Sequence, residues 1–392
     1  MEKQLNGQHR TILLLIMLLA PLGGLCIDIY APSLPSIAHF FKTSSQHSQN
    51  TMISYVIGLG VGQLFFGIVS DTISRKRLLV AGIFGFILFS LLCAISHSIN
   101  ALLIYRLIQG IFAASAGTVG KAIMSDNFTG EALKKVSTYW IITWALGPIL
   151  APLLGGFFQH TLDWQYSFVF LTVYGIVLLG ASWLAFSTIK NQKRRGIKNV
   201  ISTIIRTLFI KEFFIGILNL TLIYTYIVSF SLAGPFTIQM TFHFSAIEYG
   251  YIAFGLGFAF FIGALLKRNL LQNSIGNYVP GLYVIMLLLG VMMILLTMFF
   301  PLAIYPAILV IFFVFLISSL IIPNLYVLCL DATKHHKGVA SALMSFIPAI
   351  GAGAFGVLIK HADIGSFMPL AITYTLGSAI SLLSIVLTKV IL

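Results

Sequence analysis

Two ionisable residues, Asp28 and Arg106, lie in stretches otherwise made almost wholly of apolar side chains. A charge at the centre of a membrane helix costs about 2.5–3.5 kcal/mol on insertion scales, so such a residue faces a cavity or a partner. A desolvated carboxyl favours its protonated form, and a nearby cation favours the carboxylate. An acid held between those influences can take up a proton and release it as its cavity opens to alternate sides. Asp28 and Arg106 are therefore the candidates for proton coupling, and the spacing of their spans lets them share one cavity. The plainer alternatives are a structural polar contact for Asp28, where Tyr30, Pro32 and Pro35 follow, and a fixed counter-ion for Arg106. Gln109 stands one turn after Arg106 and can hydrogen-bond it or a ligand. Gly110 beside it admits a close helix neighbour.

A second group of charges sits at the turn Gly67–Gly82, where Asp71, Arg75, Lys76 and Arg77 separate two apolar runs. Asp126 follows a later run on the same side. An Asp126–Arg75 pair, with Asp71 near a helix N-terminus where negative charge is favoured, would make a gate if it formed only when that side is closed. Gly67 and Lys76 belong to the same turn. Otherwise these charges only orient a solvated loop. Gly147, Pro148, Pro152, Gly155 and Gly156 fall within one span and make it bendable and closely packable, the candidate hinge. Tyr30, Asn219, Tyr224, Tyr226, Gln239 and Asn324 are polar groups within or at the ends of apolar spans, and are candidates for a substrate-pocket wall.

Other chemistry is missing from the pattern. The nine histidines have no metal-ligand spacing within a helix, and His335–His336 reads as a loop pair. Cys26, Cys93 and Cys329 stand far apart in apolar stretches, so neither a disulfide framework nor a metal site follows. No nucleophile elbow, phosphate-cradling glycine loop or zinc signature occurs. The expectation is no enzyme, no catalytic residue, no metal and no cofactor, with protons as the coupling ion.

The elements that must carry these residues follow from composition. Of the 392 residues, 59% are hydrophobic and 8% charged, against about 25% charged in an ordinary soluble domain. The chain is expected to be an all-α integral membrane protein. A span needs about 20 mostly apolar residues, and twelve can be drawn: 11–32, 50–70, 78–96, 100–122, 136–158, 165–187, 211–235, 248–266, 280–300, 302–325, 338–359 and 367–388. The least distinct division is at Pro301. The start, Met1 to Ala20, reads as part of a first span and not as a cleaved signal. With both termini on the cytoplasmic side, all of the 23 basic residues except Lys42, Lys360 and Arg106 fall inside, as the excess of Lys and Arg in short cytoplasmic loops requires. The net charge of +13 is thereby explained by orientation, without nucleic acid. The expected partners are the lipid bilayer and a small-molecule substrate, and the chain is expected to act as a monomer.

The most basic loop, 188–210, divides the chain into 1–187 and 211–392, each with six spans, and serves as a linker. The halves are faintly alike: Pro148 and Pro348, and Gly156 and Gly356, are equally spaced, within ALGPILAPLLGG and FIPAIGAGAFG. Repeated halves with a substrate site near mid-membrane are the build of many secondary transporters. The second half holds no acid well inside a span, Glu212 and Glu248 lying at span starts, so coupling is expected in the first half.

Four stretches carry a resemblance to the major facilitator superfamily, and within it to the Bcr/CflA (bicyclomycin/chloramphenicol-resistance) drug:proton antiporters. Asp28-Ile-Tyr30-Ala-Pro32-Ser-Leu-Pro35 resembles the first-helix motif of that group. Gly67-xxx-Asp71-xx-Ser74-Arg75-Lys76 resembles the loop motif between helices two and three. Arg106-xx-Gln109-Gly110 and Lys121-Ala-Ile-Met-Ser-Asp126 resemble two parts of the fourth helix, and Gly147-Pro148-xxx-Pro152-xx-Gly155-Gly156 resembles the fifth-helix antiporter motif. The chain departs from these patterns at Ser74, Lys121 and Ser125. The resemblance implies two pseudo-symmetric six-helix bundles that rock about a central site. It implies Asp28 as the coupling acid, Arg106 responding to it, and Asp71, Arg75 and Asp126 as the cytoplasmic gate. It also implies a multi-pass protein of the bacterial inner membrane that exports a small, partly apolar drug or metabolite. Proton-coupled uptake or export of a specific nutrient or siderophore is the alternative within the same fold, and a membrane sensor or scaffold that moves nothing is the alternative of another class.

Overall fold

The computed structural model describes residues 7–70, 72–185, 200–270, 278–333, 337–359 and 365–388, and among them only helices, turns and short connections occur. Among the described residues, twelve helical spans are long and apolar enough to cross a membrane. The protein is an all-α, multi-pass membrane protein.

Its first span, His9–Phe40, is not one helix. It contains α1 (Gly7–Leu19), α2 (Leu22–Asp28), a 3-10 turn (Ala31–Ser33) and α3 (Leu34–Phe40). Proline has no N–H for the carbonyl four residues back. Pro21 therefore parts α1 from α2, and Pro32 leaves the Asp28 carbonyl without its helical partner. The sequence suggests a single stretch ending near residue 32. Because the span continues to Phe40, Asp28 lies deeper in the bundle than that suggests.

The remaining helices are α4 (Ser45–Val69), α5 (Arg75–Ala94), α6 (Ile99–Asn127), α7 (Gly130–Thr161), α8 (Gln165–Leu184), α9 (Val200–Leu208), α10 (Lys211–Phe236), α11 (Ala246–Leu270), α12 (Val279–Phe299), α13 (Ile304–Ala332), α14 (Lys337–Ile359) and α15 (Met368–Thr388). Several run past their apolar stretches, because a helix continues into polar sequence until a breaker or cap stops it. Arg75, Lys76 and Arg77 are thus the first turn of α5 and not a loop. α6 is entered through Ser98, whose hydroxyl accepts the Ala101 N–H. It ends at extended Phe128, and α7 starts at Gly130 with φ +55°, in the left-handed region that suits glycine. Pro301 does lie in the turn between α12 and α13. Of the expected linker 188–210, residues 188–199 lie outside the described residues, and Val200–Leu208 forms α9, which packs on α14.

Helix association in lipid relies on close van der Waals packing. α4 and α6 meet backbone to backbone: a Cβ at Gly58 would overlap the Leu107 carbonyl oxygen, and one at Gly110 the Tyr55 carbonyl oxygen. The two largest pairings between the first six spans and the last six are α7 with α11 and α14 with α4, and α10 also meets the first span and α4. The bundle has a basic end, carrying the turns before Arg75 and after Asn127. Its far end carries Phe40 and the connection from α10 to α11.

Candidate functional site

Asp28 sits at the break in the first span, at the seam where that span meets α10. Its carboxylate accepts a 3.3 Å hydrogen bond from the Ser231 hydroxyl of α10. Among the described residues no cation pairs with it. Tyr224 of α10 and Tyr249 of α11 lie within electrostatic reach of the carboxyl. Tyr249 stacks on Phe230, which meets Phe315 edge-on. The acid thus faces a largely aromatic wall built by the second half of the chain.

Three carbonyls around the break accept hydrogen bonds from side chains of other elements, as lipid surroundings favour. Arg106 Nη2 of α6 donates to the Cys26 carbonyl at 3.2 Å. The Ser167 hydroxyl of α8 donates to Ile29 at 3.4 Å. Gln239 Nε2, beyond α10 in a π-turn (Thr237–Thr241), donates to Pro32 at 2.9 Å.

Arg106 is completely buried, but not beside Asp28. Its guanidinium carbon lies 4.5 Å from the Tyr30 ring centre, 4.2 Å from that of Tyr55 and 5.5 Å from that of Phe168. Nη1 donates to Gln109 Oε1 at 2.8 Å, and Gln109 Nε2 donates to the Ser90 hydroxyl at 2.8 Å. Among the described residues Arg106 and Asp28 make no bond to each other, and each takes other partners. Cys26 and Tyr30 are four residues apart and lie on one side of the chain, toward Arg106. Asp28, two residues from each, is turned by about 200° at 3.6 residues per turn, and faces the other half.

The six expected pocket residues do not gather around one space. Tyr224 faces the Asp28 side. Tyr30 bonds Thr51 at 2.7 Å and lies under Arg106. Asn219 donates to the Ser384 hydroxyl at 3.1 Å, and Tyr226 packs edge-on against Tyr374, fully buried. Asn324 donates to the Tyr278 hydroxyl at 3.0 Å. Gln239 sits at the far end. Residues that sequence reasoning missed are Tyr55, Gln49, Tyr249 and Ser231. Ser231 alone had a local signal, standing seven residues from Tyr224 and so on the same helix face.

At the basic end, Arg75 Nε lies 2.7 Å from Asp126 Oδ2, both side chains buried. This pair ties the start of α5 to the end of α6. Asp71 lies outside the described residues. Lys76 is half-buried beside Arg75. A Cβ at Gly67 would lie 3.4 Å from the Ala342 side chain of α14, so this turn approaches the other half. Lys121 stands 6.0 Å from the Trp140 ring centre.

The glycines and prolines of α7 divide between two neighbours. Gly147 and Gly155 face α2, where a Cβ at Gly147 would lie 3.4 Å from the Pro21 carbonyl oxygen and one at Gly155 would overlap the Ile29 carbonyl oxygen. Pro148, Pro152 and Gly156 recur every four residues; their backbone approaches α11, while the Pro148 ring lies 3.9 Å from where a Cβ at Gly24 of α2 would be. Pro152 cannot bond the Pro148 carbonyl, and that oxygen would be 2.9 Å from a Cβ at Gly257. A Cβ at Gly156 would be 2.6 Å from the Ala246 carbonyl oxygen.

Comparisons with known proteins agree with this twelve-span membrane fold. The family model described as Major Facilitator Superfamily matches residues 16–357. An uncharacterized MFS-type transporter YdgK of Bacillus subtilis (strain 168) is 31% identical over 366 residues, covering 88% of this chain and 87% of that protein. A bicyclomycin resistance protein homolog of Haemophilus influenzae is 28% identical over 59% of this chain and 58% of that protein. Multidrug resistance protein D of Escherichia coli is 26% identical over 47% of this chain and 46% of its own length. In fold, the chain is similar to a D-xylose-proton symporter, with a TM-score of 0.73 at 15% identity, covering 95% of this chain and 97% of that one. The chain belongs to the Major Facilitator Superfamily and is a membrane transporter, not an enzyme.

Proposed function

We propose that the protein exports a small, partly apolar compound in exchange for protons, as a Bcr/CflA-type antiporter. In this reading it works as a monomer in a bacterial inner membrane, with both termini in the cytoplasm. Residues 1–187 and 211–392 are the two moving halves, and 188–210 links them. Relatives described as bicyclomycin and multidrug resistance proteins support the substrate class. So does the aromatic wall of Tyr224, Phe230, Tyr249 and Phe315.

The observation that carries the reading is the place of Asp28. It lies at a helix break on the seam, bonded to Ser231 of the opposite half and, among the described residues, to no cation. A carboxyl there is uncovered whenever the halves part. When it is charged, it needs Ser231 or water. When it is protonated, it tolerates closure of the aromatic wall. Arg106, held in its cage, keeps a fixed positive charge behind the Cys26 carbonyl and supports the acid from a distance. The gate role belongs to Gly67, Asp71, Arg75, Lys76 and Asp126, and the hinge role to Gly147, Pro148, Pro152, Gly155 and Gly156.

The test uses purified protein in liposomes and an imposed proton gradient. Asp28→Asn should fold and bind substrate but reduce proton-driven flux to the level of empty liposomes. Accumulation against a gradient at the wild-type rate would sink the coupling role. Inverted membrane vesicles test direction: substrate should enter them when their lumen is acidified. Entry only into right-side-out vesicles would mean uptake and overturn the export reading.

A further inference from the structure

The membrane-facing surface of α5 and α8 holds a groove of about 400 Å³ at the basic end, lined by Arg77, Val80, Ala81, Phe84, Leu179 and Trp183. Its shape has a packing origin. Further from the basic end α8 presses onto α5 at Gly175, where a Cβ would lie 2.7 Å from Ile87 Cγ1. Nearer the basic end Ala81 is too small to fill the space opposite Leu179, and a furrow remains between the helices.

The lining is apolar apart from its mouth, where Arg77 stands in the first turn of α5. Arg77 is exposed and makes no hydrogen bond or ion pair with any described residue. The N-terminal turn of α5 adds partial positive charge. Phe84 is 62% and Trp183 71% exposed, and on membrane-crossing helices such faces meet lipid. From Arg77 to Phe84 is about 10 Å along the helix at 1.5 Å per residue, and one leaflet of hydrocarbon is about 15 Å thick. The furrow therefore runs along an acyl chain within one leaflet, with a cation at headgroup level. Tryptophan beside it is at home at that boundary.

We infer that this groove binds an anionic phospholipid. An acyl chain lies along Val80, Ala81, Phe84 and Leu179, and the headgroup phosphate meets Arg77. The anionic class is favoured over the zwitterionic because a zwitterionic headgroup brings its own cation, whereas Arg77 presents a charge that no described acid neutralises.

Trp183 is a built-in reporter. The full-length protein would be reconstituted in bilayers with increasing fractions of brominated phosphatidylglycerol or brominated phosphatidylcholine, and tryptophan quenching measured. The chain has four tryptophans, so the Trp183 signal is taken as the difference between wild type and Trp183→Phe. The brominated phosphatidylglycerol should half-quench it at about a fivefold lower fraction than the phosphatidylcholine, as expected for one cation near an anionic surface. In Arg77→Gln that ratio should fall to one. In Ala81→Phe, which fills the furrow, quenching by both lipids should weaken while the elution profile of the purified protein is unchanged. Equal quenching by the two lipids in the wild type, or a preference that survives Arg77→Gln, would overturn the headgroup contact. Full quenching in Ala81→Phe would overturn the acyl-chain track. No quenching by either lipid would mean that another protein surface covers the groove, and would overturn the inference as a whole.

Discussion

Arg106 keeps its charge between three aromatic faces and two oxygen acceptors. A desolvated cation on an aromatic face is worth about 2 kcal/mol, and the planar guanidinium can stack and donate at once, which an ammonium cannot. Tyr55 has two separable roles there. Its ring faces the guanidinium at 4.2 Å, and its hydroxyl donates to the Gly23 carbonyl at 3.0 Å. Tyr55→Phe keeps the ring contact. Tyr55→Leu should therefore lower stability by about 2 kcal/mol more than Tyr55→Phe, read from thermal midpoints of purified protein. In an Arg106→Leu background that difference should shrink, since contacting residues couple in a double-mutant cycle. An undiminished difference would mean that Tyr55 packs without serving the cation. The contact between Arg106 and Gln109 was legible in their spacing of one turn. The direction of Asp28 was not. It depends on the face shared by Cys26 and Tyr30, and on Ser231, 203 positions along the chain, which no local pattern announces.

Helices were the more legible level. Apolar length and the sidedness of Lys and Arg were enough to draw twelve spans, because lipid leaves the backbone few alternatives. What that could not reveal was where a helix continues past the apolar stretch or breaks inside it. The extension of α5 back to Arg75 has a consequence for the basic end. It makes Arg75 part of a rigid first turn, aimed at Asp126 on the last turn of α6, and the pair is buried. Removing one partner of a buried ion pair costs about 3–5 kcal/mol, because the other charge is left uncompensated. Arg75→Gln and Asp126→Asn should each slow transport while leaving the substrate range unchanged. The reversed pair, Arg75→Asp with Asp126→Arg, should recover part of the rate. A changed range at an unchanged rate would count against a latch at this end. So would a reversed pair slower than either single variant.

The two seams are equivalent under exchange of the halves: the fifth span of one half packs on the second span of the other, α7 on α11 and α14 on α4. This gives a physical sense to the similar proline and glycine spacing of Pro148 with Pro348 and Gly156 with Gly356. At the far end the seam is also fastened by side chains. Gln239 donates to the Pro32 carbonyl, and Gln49 Nε2 donates to the Leu232 carbonyl at 3.0 Å. Both bonds run from one half to the backbone of the other. A carrier that alternates must break both when this end opens, and each is worth about 1 kcal/mol net. Replacing both glutamines by leucine keeps most of the side-chain volume and removes about 2 kcal/mol from the closed far end, a shift of roughly thirtyfold in the balance between states. Spin labels at the exposed residues Lys42 and His243, on either side of that end, would report it as a longer distance gaining population in the double variant. Gln49→Leu alone should give about half of the free-energy shift. A distance distribution identical to that of the unsubstituted protein would mean that the backbone packing of α7 on α11 closes the far end without the glutamines.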